Sequence, residues 1–156
     1  MKFSKNFDIS TVVDKDLITL ELEAHTKEEA IGELTDLLVK HGNISDRREF
    51  IDDVLKREAE GVTGLGQGVA IPHGKSEAVK DTALAIGISP KAIPWESLDD
   101  EPVNVVILFA VRNTDANTLH IRLLQSVAVL LADDDFIDSL HKVKSKDKLM
   151  ELLVTK

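Results

Sequence analysis

The run GLGQGVAIPHGKS, Gly64 to Ser76, puts four glycines, a proline and a histidine into thirteen residues. Two chemistries could use such a stretch. Backbone amides of a glycine-rich turn can cradle phosphates, or a stiff turn can present the His73 imidazole to a reactant. A phosphate loop needs G-x-x-x-x-G-K-[ST]. Gly74-Lys75-Ser76 supplies its end, but the first glycine would then fall on Val69, and Gly68 is one place away. Pro72 also has no N–H to offer. The dinucleotide fingerprint fails as well, since Gly64-Leu65-Gly66-Gln67-Gly68 is GxGxG and not GxGxxG. His73 itself follows a proline that fixes its own φ and biases Ile71 toward an extended shape, with Gly74 free to turn the chain directly afterwards. This predicts an imidazole at a strand end, projecting into a shallow cleft. On periodicity alone, an ordinary histidine in a surface turn is an equally good reading.

Other reactive constellations are weaker. There is no HExxH, no histidine pair at i, i+4 and no cysteine, so thiolate metal sites, disulfides and cysteine nucleophiles fall together. No G-x-S-x-G elbow supports a serine nucleophile. Asp133-Asp134-Asp135 reads as acids gathered at a helix N-terminus. A site built from His73, His120 and a distant carboxylate has nothing in the spacing to recommend it.

The elements that would carry these residues can be read from periodicity. Leu17–Leu22 (LITLEL) alternates and predicts a half-buried strand. Thr26 and Glu29 form a capping-box pattern ahead of Ala30, Ile31, Leu34, Leu37 and Leu38, and Gly42 closes that helix. A second helix is expected from Ser45 or Asp46 to Gly61, with Phe50, Ile51, Val54 and Leu55 apolar. Arg57 continues its Phe50–Val54 row into the last turn, where serving the helix dipole or snorkelling to solvent explains it adequately. Val69 and Ala70 suggest a short buried strand before His73. Thr82–Ser89 reads as a strand, and Pro102–Val111 as one covered on both faces. From about Asn117 the pattern turns helical through Leu123, Leu124, Val127, Leu130 and Leu131, with His120 in its first turn and in line with Leu124 and Val127. Two short helices, in DDFIDSLHKV and SKDKLMELLVT, follow. Strands with helices before and after them predict an α/β (α+β) fold: one mixed sheet sandwiched between helices, three layers α/β/α.

The 156 residues fit one domain, 1–156, with 43% hydrophobic and 30% charged residues. The longest apolar run, Val105–Val111, is far short of the roughly 18 residues a membrane span needs. The opening MKFSKNFDIS has no apolar segment behind its lysines, so no secretory signal is expected, and the chain reads as cytoplasmic. A formal net charge of −9 argues against nucleic acid and anionic membranes as partners.

Taken together, TGLGQGVAIPHGKSEAVKDTALAIGISPKAIPWESLDDEPVNVVILFAV and the following NTLHIRLLQSVAVLL closely resemble the IIA component of the bacterial phosphotransferase system, fructose–mannitol type. The GKSEAV continuation and Trp95–Asp99 (WESLD) look most like the fructose branch. The resemblance implies a phosphoryl relay. Phosphorylated HPr would donate to the acceptor histidine, which falls on His73, with a supporting arginine on Arg57 and a second active-site histidine on His120. The group would pass to a IIB component on another chain, with the membrane IIC permease reached only indirectly and no metal or other cofactor involved. A mostly solvent-facing site with one arginine and one histidine would hold the group without trapping it. The nearest rival within the same resemblance is the nitrogen-related regulatory IIA branch, which signals by binding other proteins.

Overall fold

Two long antiparallel strands form the spine of the molecule. The computed structural model describes residues 8–115 and 118–154, and places in order β1 (Ile18–Thr19), α1 (Lys27–His41), α2 (Arg47–Glu58), β2 (Gly64–Gly66), β3 (Val69–Ala70), β4 (His73–Ser76), β5 (Ala83–Ile93), β6 (Val103–Arg112), α3 (Leu119–Leu131), α4 (Asp134–Lys142) and α5 (Lys146–Val154). β5 and β6 are the antiparallel spine, and β1 lies parallel to β5. β3 and β4 both lie parallel to β6, and β2 folds back antiparallel on β3. The sheet is therefore mixed, as the residue pattern implies. The expected helix start at Asn117 lies outside the described residues; the helix itself is α3.

β3 and β4 are one strand interrupted by a proline. Val69 pairs with Val105, Ala70 with Val106 and His73 with Phe109, so the register on β6 continues unchanged across the gap. Pro72 cannot donate a ladder bond, yet its carbonyl accepts the Phe109 N–H at 2.9 Å. His73 therefore opens a strand and does not end one.

Gly74 likewise corrects the expected sharp turn. It sits inside β4, and a Cβ there would lie 2.5 Å from Phe50 Cε1 and 2.6 Å from Val54 Cγ2. The glycine is needed because α2 presses directly on the strand. Its neighbour His73 points to the opposite face, toward His120 on α3. Helices thus cover both faces: α1 and α2 pack together on one side, and α3, α4 and α5 follow one another on the other. Gly74→Ala is expected to lower stability by about 1–3 kcal/mol through overpacking, read as a lower denaturant midpoint. An unchanged midpoint would mean that α2 can move off the strand.

The helices follow their local signals with small departures. Thr26 Oγ1 accepts from Glu29 N at 3.1 Å, but Glu29 Oε1 accepts from His25 N, one residue before the cap. Gly42 takes φ 92° and its N–H reaches the Leu38 and Val39 carbonyls. In α2 Asp46 caps Glu49 N at 3.0 Å, and Phe50 and Val54 are fully buried. This helix ends at Glu58, short of Gly61, because the Glu60 N–H turns back to the Arg57 carbonyl. Strand β1 is only two residues long. The N–H groups of Glu23 and Ala24 are taken by the Glu33 carboxylate of α1 rather than by a neighbouring strand.

Candidate active site around His73

The glycine-rich run is a β-hairpin. Gly66, Gln67 and Gly68 all have positive φ at its turn, between β2 and β3, and no helix follows to direct amides at a phosphate. That geometry removes the nucleotide-cradle alternative and leaves His73.

Among the described residues β4 is bonded to β6 alone, so His73 stands at an open part of the sheet edge. There the end of α2 and the start of α3 overhang it from either side. Between them lies a cavity of about 630 Å³ lined by Arg57, His73 and His120, the three residues singled out from the sequence. The His73 ring stacks on its strand partner Phe109, centroids 4.4 Å apart and planes inclined by 12°. His120 lies 5.2 Å from it at 53°. Tertiary packing has brought together residues from positions 57, 73 and 120.

His73 is deeper than a solvent-facing relay suggests. Only 9% of the residue is exposed, because Phe109 covers one ring face and α3 closes over the edge. Nδ1 is buried and without a hydrogen-bond partner among the described residues, as is Nε2 of His120. For His73 this leaves Nε2 as the nitrogen that meets the cavity. Burial above all, then the neighbouring His120, push its pKa from 6.5 down to about 4. The Ile71 carbonyl acts in the opposite sense, while Arg57 and Lys75 add to the lowering. Burial, with help from Lys75, lowers His120 too. Both rings are therefore neutral at pH 7, and a neutral imidazole is the nucleophilic form.

Protonating His73 in the folded chain is costly, which fixes a pH dependence. The unfolded chain takes up this proton near pH 6.5 and the folded chain only near pH 4. The associated stability, on the order of 3 kcal/mol, is complete above pH 6.5 and disappears as the pH falls through 4. Wild-type chain should thus lose more stability than His73→Gln between pH 7 and 4 in denaturant titrations. Parallel losses would disprove the lowered pKa.

Arg57 reaches over Gly61, its Nη1 3.9 Å from where a Cβ would stand. Its guanidinium has no hydrogen bond or ion pair among the described residues, so its fork of donors faces the cavity uncommitted. The dipole and snorkelling readings give way to a pocket residue. The same wall contains residues that sequence reasoning passed over: Lys56, Asp53 and Glu60 from α2 and its exit, Thr63 and Leu65 before the hairpin turn, and Lys75 on β4. Strand spacing could have found Lys75, two places after His73 on the same face, and helix spacing Asp53 and Glu60 at i−4 and i+3 from Arg57. Three cations against two carboxylates make the pocket only mildly positive.

Such a site can hold an anion transiently, next to a neutral nucleophile and with donors at hand. The match to known proteins is decisive about kinship. Residues 11–156 match the family model described as phosphoenolpyruvate-dependent sugar phosphotransferase system, EIIA 2. The chain belongs to this EIIA family. It is 34% identical over 146 residues to a fructose-specific EIIA component of Haloferax volcanii, covering 94% of each chain. Among solved structures, the EIIA chain superposes on the nitrogen regulatory protein IIA-Ntr from Neisseria meningitidis with a TM-score of 0.85 at 27% identity, covering 93% of this chain and 98% of that one. It superposes on the Escherichia coli complex of enzyme IIA mannitol and phosphorylated enzyme IIB mannitol with a TM-score of 0.77 at 32% identity, covering 92% and 98%. Other relatives are longer: the chain spans 22% and 23% of the EIIABC components of Escherichia coli and Bacillus subtilis that it matches.

Asp14, Asp16 and His41 bring oxygens and nitrogen within 4.8 Å of one another. All three are exposed, and His41 already has Asn43 and Asp14 on its two ring nitrogens. None of them lines the His73 cavity. No helix of the described residues is long and apolar enough to cross a membrane.

Proposed function

We propose that residues 1–156 act as a single cytoplasmic EIIA domain, with His73 as phosphoryl acceptor. The group arrives from phosphorylated HPr and leaves for a separate IIB component during uptake of fructose or a related sugar. The membrane IIC permease is served indirectly, and no nucleic acid or membrane insertion takes part. In the accepting step the lone pair of His73 Nε2 forms the new P–N bond as the P–N bond to the donor imidazole breaks. The proton stays on His73 Nδ1 and the donor ring departs with the electron pair.

The observation that carries this reading is the convergence of a neutral His73, an Arg57 fork uncommitted among the described residues and the His120 imidazole on one cavity. A phosphoryl group spreads its charge over three equatorial oxygens, and the protein's task is to position and stabilise them. Arg57 gives forked bonds to two oxygens, and the His120 imidazole, which also lines the cavity, offers a third donor. Thr118 makes no side-chain cap at the start of α3, so among the described residues the first-turn amides beside His120 have no side-chain acceptor. Asp53 and Glu60 temper the field, which suits a carrier that must release its load.

A regulatory role has specific support, namely the overlay on IIA-Ntr. The higher identity to the fructose-specific EIIA component, 34% against 30% to a nitrogen regulatory protein of Klebsiella oxytoca, favours transport. Mixing the chain with labelled phospho-HPr, then adding a fructose-type IIB, tests the reading. Label should move to His73 and onward to IIB; label that reaches His73 but no sugar-specific IIB would favour the regulatory branch.

A further inference from the structure

Thr63 is where the helix of Arg57 and the strand of His73 are joined. Its hydroxyl donates to Glu58 Oε2 at 2.7 Å and accepts from Trp95 Nε1 at 3.0 Å. Its carbonyl accepts the Ile71 N–H at 3.0 Å, two residues before His73. The other Glu58 oxygen accepts from Lys27 Nζ at 3.1 Å, and the same ammonium reaches Glu96 Oε1 at 2.6 Å. The carboxylate is deeply placed, its side chain 4% exposed, and Thr63 and Trp95 are buried.

The end of α2 explains why such a connection is needed. Ala59 follows the helix in a right-handed conformation, so no left-handed glycine closes it. Helix ends open more readily than helix interiors, and Arg57 lies in that last turn. Glu58, the next residue, ties the turn through Thr63 to the backbone leading into His73.

We propose that Thr63 and Glu58 are positioning residues that set the distance between the Arg57 guanidinium and the His73 imidazole. Neither has to touch the phosphoryl group. Trp95 and Lys27 complete the clamp, so that every polar atom of the buried carboxylate and hydroxyl is occupied. The role in transfer rests on the proposed function, whereas the effect on geometry does not.

Thr63→Val keeps the shape and removes the hydroxyl, leaving Glu58 Oε2 and Trp95 Nε1 unpaired. Transfer from phospho-HPr to His73 should slow by roughly tenfold to a hundredfold, the scale of a misplacement of about 1 Å. Thr63→Ser should recover most of the loss. In an Arg57→Ala background the same Thr63→Val change should cost less than about twofold, because the two residues act through one contact. Equal losses in both backgrounds would show a merely structural role and overturn the proposal, as would a Thr63→Val variant as fast as wild type. If that variant does not fold, Glu58→Gln carries the same comparison.

A second readout separates this inference from the function above. Arg57 helps to lower the His73 pKa, so displacing it should raise the value seen by NMR titration. The rise in Thr63→Val should approach that in Arg57→Ala and should not grow in the double variant. An unmoved His73 pKa defeats the clamp even if wild type relays phosphate. A moved pKa in a chain that accepts nothing from HPr upholds the clamp and defeats the relay.

Discussion

In the His73→Ala variant no phosphoryl group should pass from phospho-HPr onto the chain, whereas His25→Ala and His41→Ala should accept it at the wild-type rate. The wild-type adduct should be acid-labile and base-stable, as expected for a phosphoramidate on an imidazole. Five histidines are present, and their surroundings separate them. His25 and His41 are exposed, the latter held by Asn43 and Asp14. His141 bonds the Gln67 carbonyl at 2.7 Å. Of the five, only His73 and His120 line the cavity, and each carries a buried ring nitrogen without a partner among the described residues. Of the two, His73 is the one set rigidly, on a strand and stacked on Phe109, and a fixed nucleophile can be met in line by a donor. The variant loses that stacking, so circular dichroism should accompany the assay, with His73→Gln as a polar replacement. Label retained by folded His73→Gln would remove His73 as acceptor.

Arg57→Ala should keep His73 phosphorylatable but slow its phosphorylation by about 10²–10³-fold, the loss seen when one charge-stabilising donor is deleted from an acyl-transfer site. At 4 Å a unit charge pair is worth about 1 kcal/mol in water and roughly 4 at an effective dielectric of 20. The half-buried position of Arg57 lies between these limits. The guanidinium has no other bond to lose among the described residues, so stability should hardly change and the effect should fall on the transfer rate. Arg57→Lys should recover only part of the rate, since an ammonium keeps the charge but not the planar fork. An Arg57→Ala chain that transfers at the wild-type rate would leave the cavity's electrostatics without a role.

Much of this was legible before folding. Arg57 and His120 stood out because each interrupts an apolar row at helical spacing, and a shared pocket accounts for both. The ordering of strands and helices followed from alternation and from the 3.6 period, and Thr26, Gly42 and Asp46 mark helix ends where they should. Gly74 has the sequence signature of a turn residue but lies inside β4. Local rules know that glycine bends a chain, but only α2 lying across β4 shows that a Cβ would strike Phe50 and Val54. The depth of His73 was missed for the same reason: the ring's cover is Phe109, 36 positions on by the strand register, together with a helix that starts later still.

Residue type and spacing along the chain specify the carriers of the chemistry and the local shapes that present them: a histidine after a proline, an arginine in the last turn of a helix, a histidine in the first turn of another. Those are short-range properties of side-chain type and spacing. Tertiary structure alone decided that His73 is buried and neutral and that Arg57 is uncommitted. It also decided that Lys27, Glu58, Thr63 and Trp95 meet as one bonded group. Desolvation and hydrogen-bond partnership depend on what lies within a few ångströms in space, and the groups that meet here are tens of residues apart along the chain.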